Sequence, residues 1–254
     1  MSLSDKHAVV TGGATGIGLA ITMALLAEGA RVTIMGRNKD RLDQVAKKNK
    51  LIFAEQVDVT DNNNIEQAFA NASKRAPISI LVNNAGAAKA APFNKTSLKD
   101  WENTLAVNLT SVYLTTRAAY NDIMNTDHGR IINIASTAGV EGCAYTTAYS
   151  AAKHGVVGLT KSLALELTKT NVTVNAICPG FTNTDMVEQS IINVMEKTGR
   201  NRQDALAGIL KAANQKRLVE PEEIANLVIK LCQAKSDNIN GQAIVIDGNS
   251  RTDL

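Results

Sequence analysis

Short runs of β-branched and other apolar residues alternate along this 254-residue chain with segments of helical periodicity. Elements that alternate in this way are joined by right-handed crossovers, so their strands lie parallel in one sheet with helices on both faces. The sequence therefore predicts an α/β fold, a doubly wound parallel sheet of about seven strands, built as a single domain over residues 1–254. The strand-like runs are HAVVTG, RVTIM, LIFAEQVDV, ISILVNN, RIINIAS, VTVNAIC and QAIVID, and helical patterns cover 16–28, 38–48, 61–75, 98–124 and 144–167.

Composition places the chain among globular proteins and argues against several other classes. Hydrophobic residues make up 44% of the sequence, and a net charge of +3 is too small to indicate binding to nucleic acid. No apolar run reaches the roughly 20 residues that a membrane span requires, and the first residues lack a signal-peptide pattern. Cys143, Cys178 and Cys232 form neither a disulfide framework nor a metal motif. We expect a cytoplasmic protein with no metal, no membrane partner and no nucleic-acid partner.

The loop after the first strand is rich in glycine and precedes an apolar helix. Gly12, Gly16 and Gly18 allow a tight turn, close approach of a ligand to the backbone and close packing of the helix on the strand. The free N–H groups at the start of such a helix bind a pyrophosphate. Since the spacing G-x-x-x-G-x-G differs from the common dinucleotide fingerprint, a glycine-rich turn without a ligand is the alternative.

The end of the second strand bears on the choice between two dinucleotides. A carboxylate there binds the ribose 2′-hydroxyl of NAD, whereas a nearby arginine accommodates the 2′-phosphate of NADP. Here Gly36 supplies no carboxylate, and Arg37 offers a planar cation that suits phosphate. The sequence favours NADP(H) over NAD(H); the alternative is a solvated Arg37, with Asp40 as its partner.

Seven short motifs follow the predicted strands and helices in a fixed order. They are TGGATGIG (11–18), DVTD (58–61), NNAG (83–86), VNLT (107–110), NIAS (133–136), YSAAK (149–153) and PGFTNT (179–184). Together they resemble the short-chain dehydrogenase/reductase (SDR) family over essentially the full length. The resemblance implies a Rossmann-like fold and reversible hydride transfer between a nicotinamide cofactor and a carbonyl or secondary alcohol. In general pattern the chain is most similar to the 3-oxoacyl-thioester reductase and 3-hydroxyacyl-CoA dehydrogenase branch.

The resemblance implies a catalytic set of Asn108, Ser136, Tyr149 and Lys153. Tyr149 and Lys153 lie at positions i and i+4 of a helix, so their side chains share a face about 5–6 Å apart. We expect the Lys153 ammonium and the positive ring of an oxidised nicotinamide to lower the pKa of Tyr149, the general acid/base, from its ordinary value of about 10. Ser136 would polarise the carbonyl. Asn108 would cause a local kink whose freed carbonyl supports a proton relay to Lys153; the alternative is a satisfied buried amide.

The resemblance also implies which residues hold the cofactor. Asp58 and Val59 are similar to an adenine-binding pair, and the NNAG loop lies under the adenosine ribose. The segment 179–184 closes on the nicotinamide through the backbone of Thr182 and the hydroxyl of Thr184. The full set is Gly12, Thr15, Gly16, Ile17, Gly18, Arg37, Asp58, Val59, Asn84, Gly86, Tyr149, Lys153, Pro179, Gly180, Thr182 and Thr184.

Residues 186–217 form an insertion with the pattern of two amphipathic helices that are separated at Thr198-Gly199, which predicts a mobile lid over the substrate. Its basic residues outnumber its acidic ones six to three, so the lid either engages phosphates of coenzyme A or an acyl-carrier protein, or presents a solvated helix face. The expected pocket wall is mostly apolar and permits an aliphatic 3-oxoacyl chain. The substrate-binding residues would be Ser136, Cys143, Tyr145, Tyr149, Phe181 and Met186.

The sequence thus predicts an NADP(H)-dependent oxidoreductase whose substrate is a small molecule or a thioester-linked acyl chain. One alternative is an NAD-dependent hydroxybutyrate, polyol or sugar dehydrogenase of the same family. A remote alternative is a non-catalytic dinucleotide sensor, although such proteins usually lack the Tyr or the Lys. Because relatives are commonly tetramers, we expect a homotetramer by analogy.

Overall fold

In the computed structural model, which describes residues 3–249, seven parallel strands form one sheet in the order β3-β2-β1-β4-β5-β6-β7. The register places Val9 of the first strand beside Thr33 of the second and Leu81 of the fourth. The predicted fold class is therefore confirmed. The strands are β1 His7–Thr11, β2 Arg31–Gly36, β3 Ile52–Gln56, β4 Ile80–Asn83, β5 Gly129–Ile134, β6 Val172–Pro179 and β7 Ala243–Ile246.

Helices lie close to where the hydrophobic periodicity places them, with two differences. The predicted helix over 98–124 is interrupted by a π-helical turn, Ala106–Thr110. The helix expected from 144 begins only at Thr147, because Tyr145 has a φ of 64°, outside the helical range. The helices are α1 Gly16–Ala27, α2 Lys39–Ala46, α3 Asn62–Arg75, α4 Leu98–Leu105, α5 Ser111–Met124, α6 Thr147–Glu166, α7 Asp185–Thr198, α8 Arg202–Ala212 and α9 Pro221–Cys232.

The inner strands β1, β2, β4, β5 and β6 are buried on both faces over most of their length. Val10 and Ile34 pack in the cluster that includes residues of α1 and α9, whereas their neighbours Val9 and Met35 pack in the cluster that includes residues of α3 and α5. Side chains alternate between the faces of a strand, so a strand covered on both faces must be apolar at consecutive positions. This requirement explains the nearly continuous apolar runs in the sequence.

The chain order reverses beside β1, which pairs with β2 on one side and with β4 on the other. Connections from these neighbouring strands run to opposite sides of the sheet, so a crevice opens outside their carboxyl ends. The loop after β1, the NNAG loop after β4 and the turn after β5 all meet at this edge. The fold therefore brings most of the singled-out motifs together.

Two histidines lie at the other end of the sheet, at the amino ends of β1 and β5. His7 is fully buried, with Nδ1 2.8 Å from the Ala76 carbonyl oxygen and Nε2 2.8 Å from the Thr33 hydroxyl. His128 lies 3.1 Å from the Cys232 carbonyl oxygen and next to Arg130. Burial lowers the pKa of both histidines, and the Arg130 charge lowers that of His128 further.

These histidines should make stability fall in mild acid. Their folded-state pKa values lie below the ordinary value of about 6.5, so the unfolded chain binds protons more readily as pH falls. We expect these two residues to make the free energy of unfolding in urea decrease as pH falls from about 7 through 6.5 and below. His7→Gln should reduce the slope of this decrease. An equal slope in His7→Gln and wild type would contradict the assignment to His7.

Candidate active site

The loop between β1 and α1 has the form of an anion cradle. Gly12 and Gly16 have positive φ values of 65° and 48°, which glycine adopts without strain. Thr15 caps α1 without a side-chain hydrogen bond, and the first turn of α1 holds no acidic residue, so its backbone N–H groups face the crevice without a side-chain acceptor. A Cβ on Gly18 would overlap the Gly12 carbonyl oxygen. These features fit a pyrophosphate at the helix N-terminus.

The NNAG loop is tied to β1 by Asn84. Its backbone N–H donates to the Thr11 hydroxyl at 2.9 Å, and its Nδ2 donates to the Thr11 carbonyl at 2.9 Å. A Cβ on Gly12 would lie 2.8 Å from the same Nδ2 atom. The predicted cofactor residues Gly12 and Asn84 therefore belong to one packed unit.

Asn83, one residue earlier, belongs to a buried polar network. Its Nδ2 donates to the Thr116 hydroxyl at 3.1 Å and to Asn133 Oδ1 at 2.9 Å, and its Oδ1 accepts from the Thr115 hydroxyl at 2.7 Å. Asn133 in turn donates to the Thr160 hydroxyl at 2.8 Å. The network connects α5, β4, β5 and α6, so it fixes the elements on which the site is built.

Arg37 lies at the carboxyl end of β2 with its side chain exposed. Within residues 3–249 it forms no ion pair with Asp40 or any other carboxylate. Asp58 is engaged locally: its Oδ1 accepts from the Thr60 hydroxyl at 2.7 Å and from the Thr60 N–H at 2.9 Å. The Thr60 hydrogen bonds lower the pKa of Asp58, and the Arg37 charge adds to the effect. The Arg37 side chain is thus exposed at the carboxyl end of β2, and its contact with a 2′-phosphate stays a prediction.

Lys153 is buried below the crevice. Its Nζ donates to the carbonyl oxygen of Ile134, the last residue of β5, at 2.8 Å and lies 5.7 Å from the centre of the Tyr149 ring. Burial lowers the pKa of Lys153 to about 8. The two side chains share one face of α6, as their spacing predicts, and the ammonium is close enough to neutrality to exchange protons near pH 8.

The expected lowering of the Tyr149 pKa is wrong for the protein alone. Burial of the phenol raises its pKa, a hydrogen bond with Ser136 lowers it, and the charge of Cys143 raises it further. The Lys153 ammonium is directed to the Ile134 carbonyl, which accounts for its failure to offset the cost of burying a phenolate. Tyr149 is therefore held as a neutral phenol, a proton donor, beside the Ser136 hydroxyl.

Ser136 follows β5 and opens a short 3-10 turn, Thr137–Gly139. Its Oγ accepts a hydrogen bond from the Ala138 N–H at 3.1 Å, which fixes the side chain. Gly139 packs directly on α6, where a Cβ would lie 2.8 Å from the Lys153 carbonyl oxygen. The close contact sets the distance between the turn that carries Ser136 and the helix that carries Tyr149.

Asn108 occupies the centre of the π-helical turn and is fully buried. Its Nδ2 donates to the carbonyls of Ala87 at 2.8 Å and Thr104 at 3.0 Å, and its Oδ1 accepts from the Ala87 N–H at 3.1 Å. A Cβ on Gly86 would lie 2.8 Å from Asn108 Oδ1 and 3.7 Å from Lys153 Nζ. The kink expected from the sequence is present, and the side chain is also a satisfied buried amide. The relay role stays a prediction.

The segment after β6 folds across the glycine loop. A Cβ on Gly16 would lie 3.2 Å from Thr184 Cγ2, so Thr184 borders the anion cradle. Thr182 is buried and pairs with Val219 in an isolated parallel bridge. The segment from Pro179 to Thr184 therefore borders the glycine loop, and its contact with a nicotinamide stays a prediction.

The predicted substrate residues differ in exposure, and their contact with a substrate stays a prediction. Cys143, Tyr145 and Met186 are exposed. The backbone carbonyl of Tyr145 accepts a hydrogen bond from the Ala91 N–H at 2.8 Å, which joins the two loops that flank the crevice. Phe181 packs instead against the apolar cluster of α7 and α8, so its ring supports the lid.

In the lid, α7 ends at Thr198 and α8 begins at Arg202, on either side of the predicted break, where Gly199 has a φ of 69°. Two of the six basic lid residues are paired: Arg202 with Glu188, and Arg217 with Glu223. Gln215, a buried amide at the base of the lid, was not predicted from the sequence. Its position at the end of an amphipathic helix gave no signal, because a glutamine there is ordinarily exposed.

The described residues contain no group of three or more His, Cys, Asp or Glu side chains that could hold a metal ion. Of the helices between residues 3 and 249, none combines the length and the apolar character needed to span a bilayer.

Comparisons with known proteins agree with this geometry. A family model described as short chain dehydrogenase matches residues 6–194. A putative ketoacyl reductase of the granaticin polyketide synthase from Streptomyces violaceoruber is 38% identical over 95% of this chain and 91% of its own length. The 3-oxoacyl-(acyl-carrier-protein) reductase of Aquifex aeolicus is 36% identical over 98% of both chains.

Two further relatives differ in what they are named for. The D-beta-hydroxybutyrate dehydrogenase of Rhizobium meliloti is 34% identical over 96% of this chain and 97% of its own length. Among solved structures, a variant of actinorhodin polyketide ketoreductase with NADPH superposes with a TM-score of 0.91 at 33% identity, covering 98% of this chain and 100% of that one.

Proposed function

This chain is an oxidoreductase of the short-chain dehydrogenase family, and from that premise we propose that it uses NADP(H) to interconvert a 3-oxoacyl thioester and the corresponding secondary alcohol. The observation that carries the proposal is the grouping of a neutral Tyr149 phenol, the Ser136 hydroxyl and the Lys153 ammonium beside the glycine cradle. Thioesters of coenzyme A and of an acyl-carrier protein are both within the proposed class, as are similar aliphatic ketones.

NADPH, held by the glycine cradle and Arg37, would supply the hydride for the carbonyl carbon. Ser136 donates a hydrogen bond to the carbonyl oxygen and stabilises the negative charge that develops there. Tyr149 transfers its phenolic proton to the same oxygen, which completes the alcohol and leaves a phenolate. The raised pKa of Tyr149 keeps it protonated for this step. Lys153, with its pKa of about 8, returns a proton to the phenolate and is itself reprotonated along the Asn108 turn.

The preference for NADP(H) rests on Arg37, which is exposed and has no carboxylate partner within the described part of the chain. Arg37→Ala should raise the KM for NADPH about tenfold to hundredfold, because it removes a charge-assisted contact to the 2′-phosphate. The KM for NADH should stay unchanged, as should both values in Lys47→Ala at the far end of α2. Initial rates with the two cofactors measure this, and a wild-type preference for NADH would contradict the assignment.

The experiment that tests the reaction is a substrate panel followed by the absorbance of NADPH. We expect oxidation of NADPH with 3-oxoacyl thioesters and a slower reaction with simple ketones. The dehydrogenase relative named for D-beta-hydroxybutyrate favours one other candidate, an NAD-dependent hydroxybutyrate dehydrogenase. Rapid reduction of NAD by 3-hydroxybutyrate, without activity on thioesters, would establish that candidate instead. Failure of every substrate would favour the dinucleotide sensor.

Assembly and location follow by analogy. We propose a homotetramer in the cytoplasm, with the α5–α6 face as one of its contacts. That face presents the exposed side chains of Tyr113 and Tyr120 next to Arg117 and Glu166, which carry opposite charges. A two-fold axis across such a face would let each arginine meet the partner's glutamate.

A further inference from the structure

Gln215 is a buried amide that binds another segment's backbone. Its Oε1 accepts from the Phe181 N–H at 2.8 Å, and its Nε2 donates to the Phe181 carbonyl at 2.7 Å. Nε2 also donates to the Arg217 carbonyl at 2.6 Å. The side chain is 7% exposed, so each of these groups would be left unpaired if the amide were removed. The amide thus holds both polar groups of one peptide residue, as a neighbouring strand would.

The chain turns sharply to bring Gln215 inward. Helix α8 ends at Ala212, and Asn214 has a left-handed φ of 50°. The Gln215 N–H then bonds back to the Leu210 carbonyl at 2.9 Å. Asn249 secures the turn, since its Nδ2 donates to the Asn214 carbonyl at 2.7 Å and its Oδ1 accepts from the Lys216 N–H at 2.9 Å. Gln215 is therefore fixed where the lid rejoins the sheet.

The segment that Gln215 holds is the one that borders the cofactor crevice. Gly180 must be a glycine for the contact to form, because a Cβ there would lie 2.6 Å from Gln215 Oε1. Four residues on from Gly180, Thr184 borders the glycine cradle beside Gly16 and caps α7, where the lid begins. The Gln215 side chain therefore joins the end of the lid, where the chain returns to the sheet, to the segment after β6, where the lid begins.

We propose that Gln215 is a positioning residue: it clamps the Pro179–Thr184 backbone against the lid base, so that this segment presents its polar groups to the nicotinamide half of the cofactor. The proposal rests on the proposed function, in which that segment faces the nicotinamide. Gln215 itself touches neither substrate nor cofactor. Its action is on the nicotinamide side of the crevice, away from Arg37 and the adenosine side.

The test compares NADPH with 2′-phospho-ADP-ribose, which has the adenosine and phosphate groups but lacks the nicotinamide. In Gln215→Met we expect the Kd for NADPH to rise about tenfold, kcat to fall, and the Kd for 2′-phospho-ADP-ribose to stay within about twofold of wild type, since tenfold corresponds to the loss of about one net hydrogen bond. Gln67→Met, at an exposed position on α3, is the matched control and should change neither Kd. Titrations by fluorescence or calorimetry give both constants.

Gly180→Ala disrupts the same contact by placing a methyl group against the Gln215 amide. It tests the proposal independently if Gln215→Met folds poorly. It should give the same selective loss of NADPH affinity. Equal weakening of both ligands in these variants, or unchanged affinity for NADPH, would overturn the proposal. Wild-type protein that binds neither NADPH nor 2′-phospho-ADP-ribose would overturn the proposed function, and this inference with it; wild-type protein that binds the two equally tightly would overturn the inference alone. If the wild type binds NADPH more tightly than 2′-phospho-ADP-ribose and both variants keep that difference, the inference alone is overturned.

Discussion

Replacement of Tyr149 by phenylalanine should lower kcat for carbonyl reduction by about 10³-fold or more while NADPH still binds. The ring stays in place on α6, so the change removes only the proton that the alcohol oxygen must receive and the hydrogen bond with Ser136. Steady-state rates with a 3-oxoacyl thioester measure the loss, and fluorescence titration measures the retained NADPH affinity.

Tyr120→Phe is the matched control for this change. Tyr120 lies on the α5 face that we propose as a subunit contact, away from the reacting groups; phenylalanine keeps the ring at that contact, so loss of the hydroxyl should leave kcat within about twofold. Activity of Tyr149→Phe close to that of wild type would remove Tyr149 from the reaction. It would leave the family assignment intact, because the assignment does not depend on the role of one residue.

Gly18→Ala should have the second large effect, on folding and on cofactor binding together. The added Cβ would overlap the Gly12 carbonyl oxygen and would lie 2.5 Å from Asn84 Nδ2, so the glycine loop and the NNAG loop must both move. The Gly12 backbone cannot move aside as a flexible side chain could. We therefore expect the free energy of unfolding to fall by about 3 kcal/mol. NADPH binding should weaken beyond detection, since the displaced atoms form the anion cradle.

Gly158→Ala provides the comparison. Gly158 is an exposed residue of α6, and a Cβ there meets nothing within 4 Å. Alanine favours a helix interior over glycine by about 0.5–1 kcal/mol, so this variant should be slightly more stable than wild type. Urea unfolding of both variants separates steric overlap from the general cost of changing a glycine. Equal stabilities for the two would show that the loop adapts.

The parts of this structure that depend on local pattern could be predicted, and those that depend on what packs against a residue could not. Consecutive apolar residues in each strand indicate a sheet that is covered on both faces, and the resemblance of the VNLT motif to the family implied the interruption at Asn108. The pKa of Tyr149 depends on burial, which the sequence does not contain; its spacing from Lys153 suggested the opposite direction. The pairing of Arg202 with Glu188, fourteen residues away, likewise could not be read from the sequence; it leaves the net charge of the lid unchanged but engages one of its cations.

Gln215 illustrates the same limit. A glutamine at the end of an amphipathic helix is ordinarily solvated, and its inward direction here depends on the left-handed Asn214 before it. Nothing local in the sequence distinguishes that turn from a simple helix end. The contact with Phe181 joins positions 34 residues apart, so it exists only once the lid has returned to the sheet.

The buried amides of β4 and β5 also affect how the chain reaches this fold. Asn83 and Asn133 are directly opposed in the strand register and hydrogen-bond each other between two helices. Sliding one strand past the other by a single residue would turn an amide to the wrong face and leave buried polar groups without partners. Apolar side chains alone would tolerate such a slip far better. The pair therefore admits one alignment of β4 with β5 and destabilises misaligned sheets that would bury the same apolar side chains.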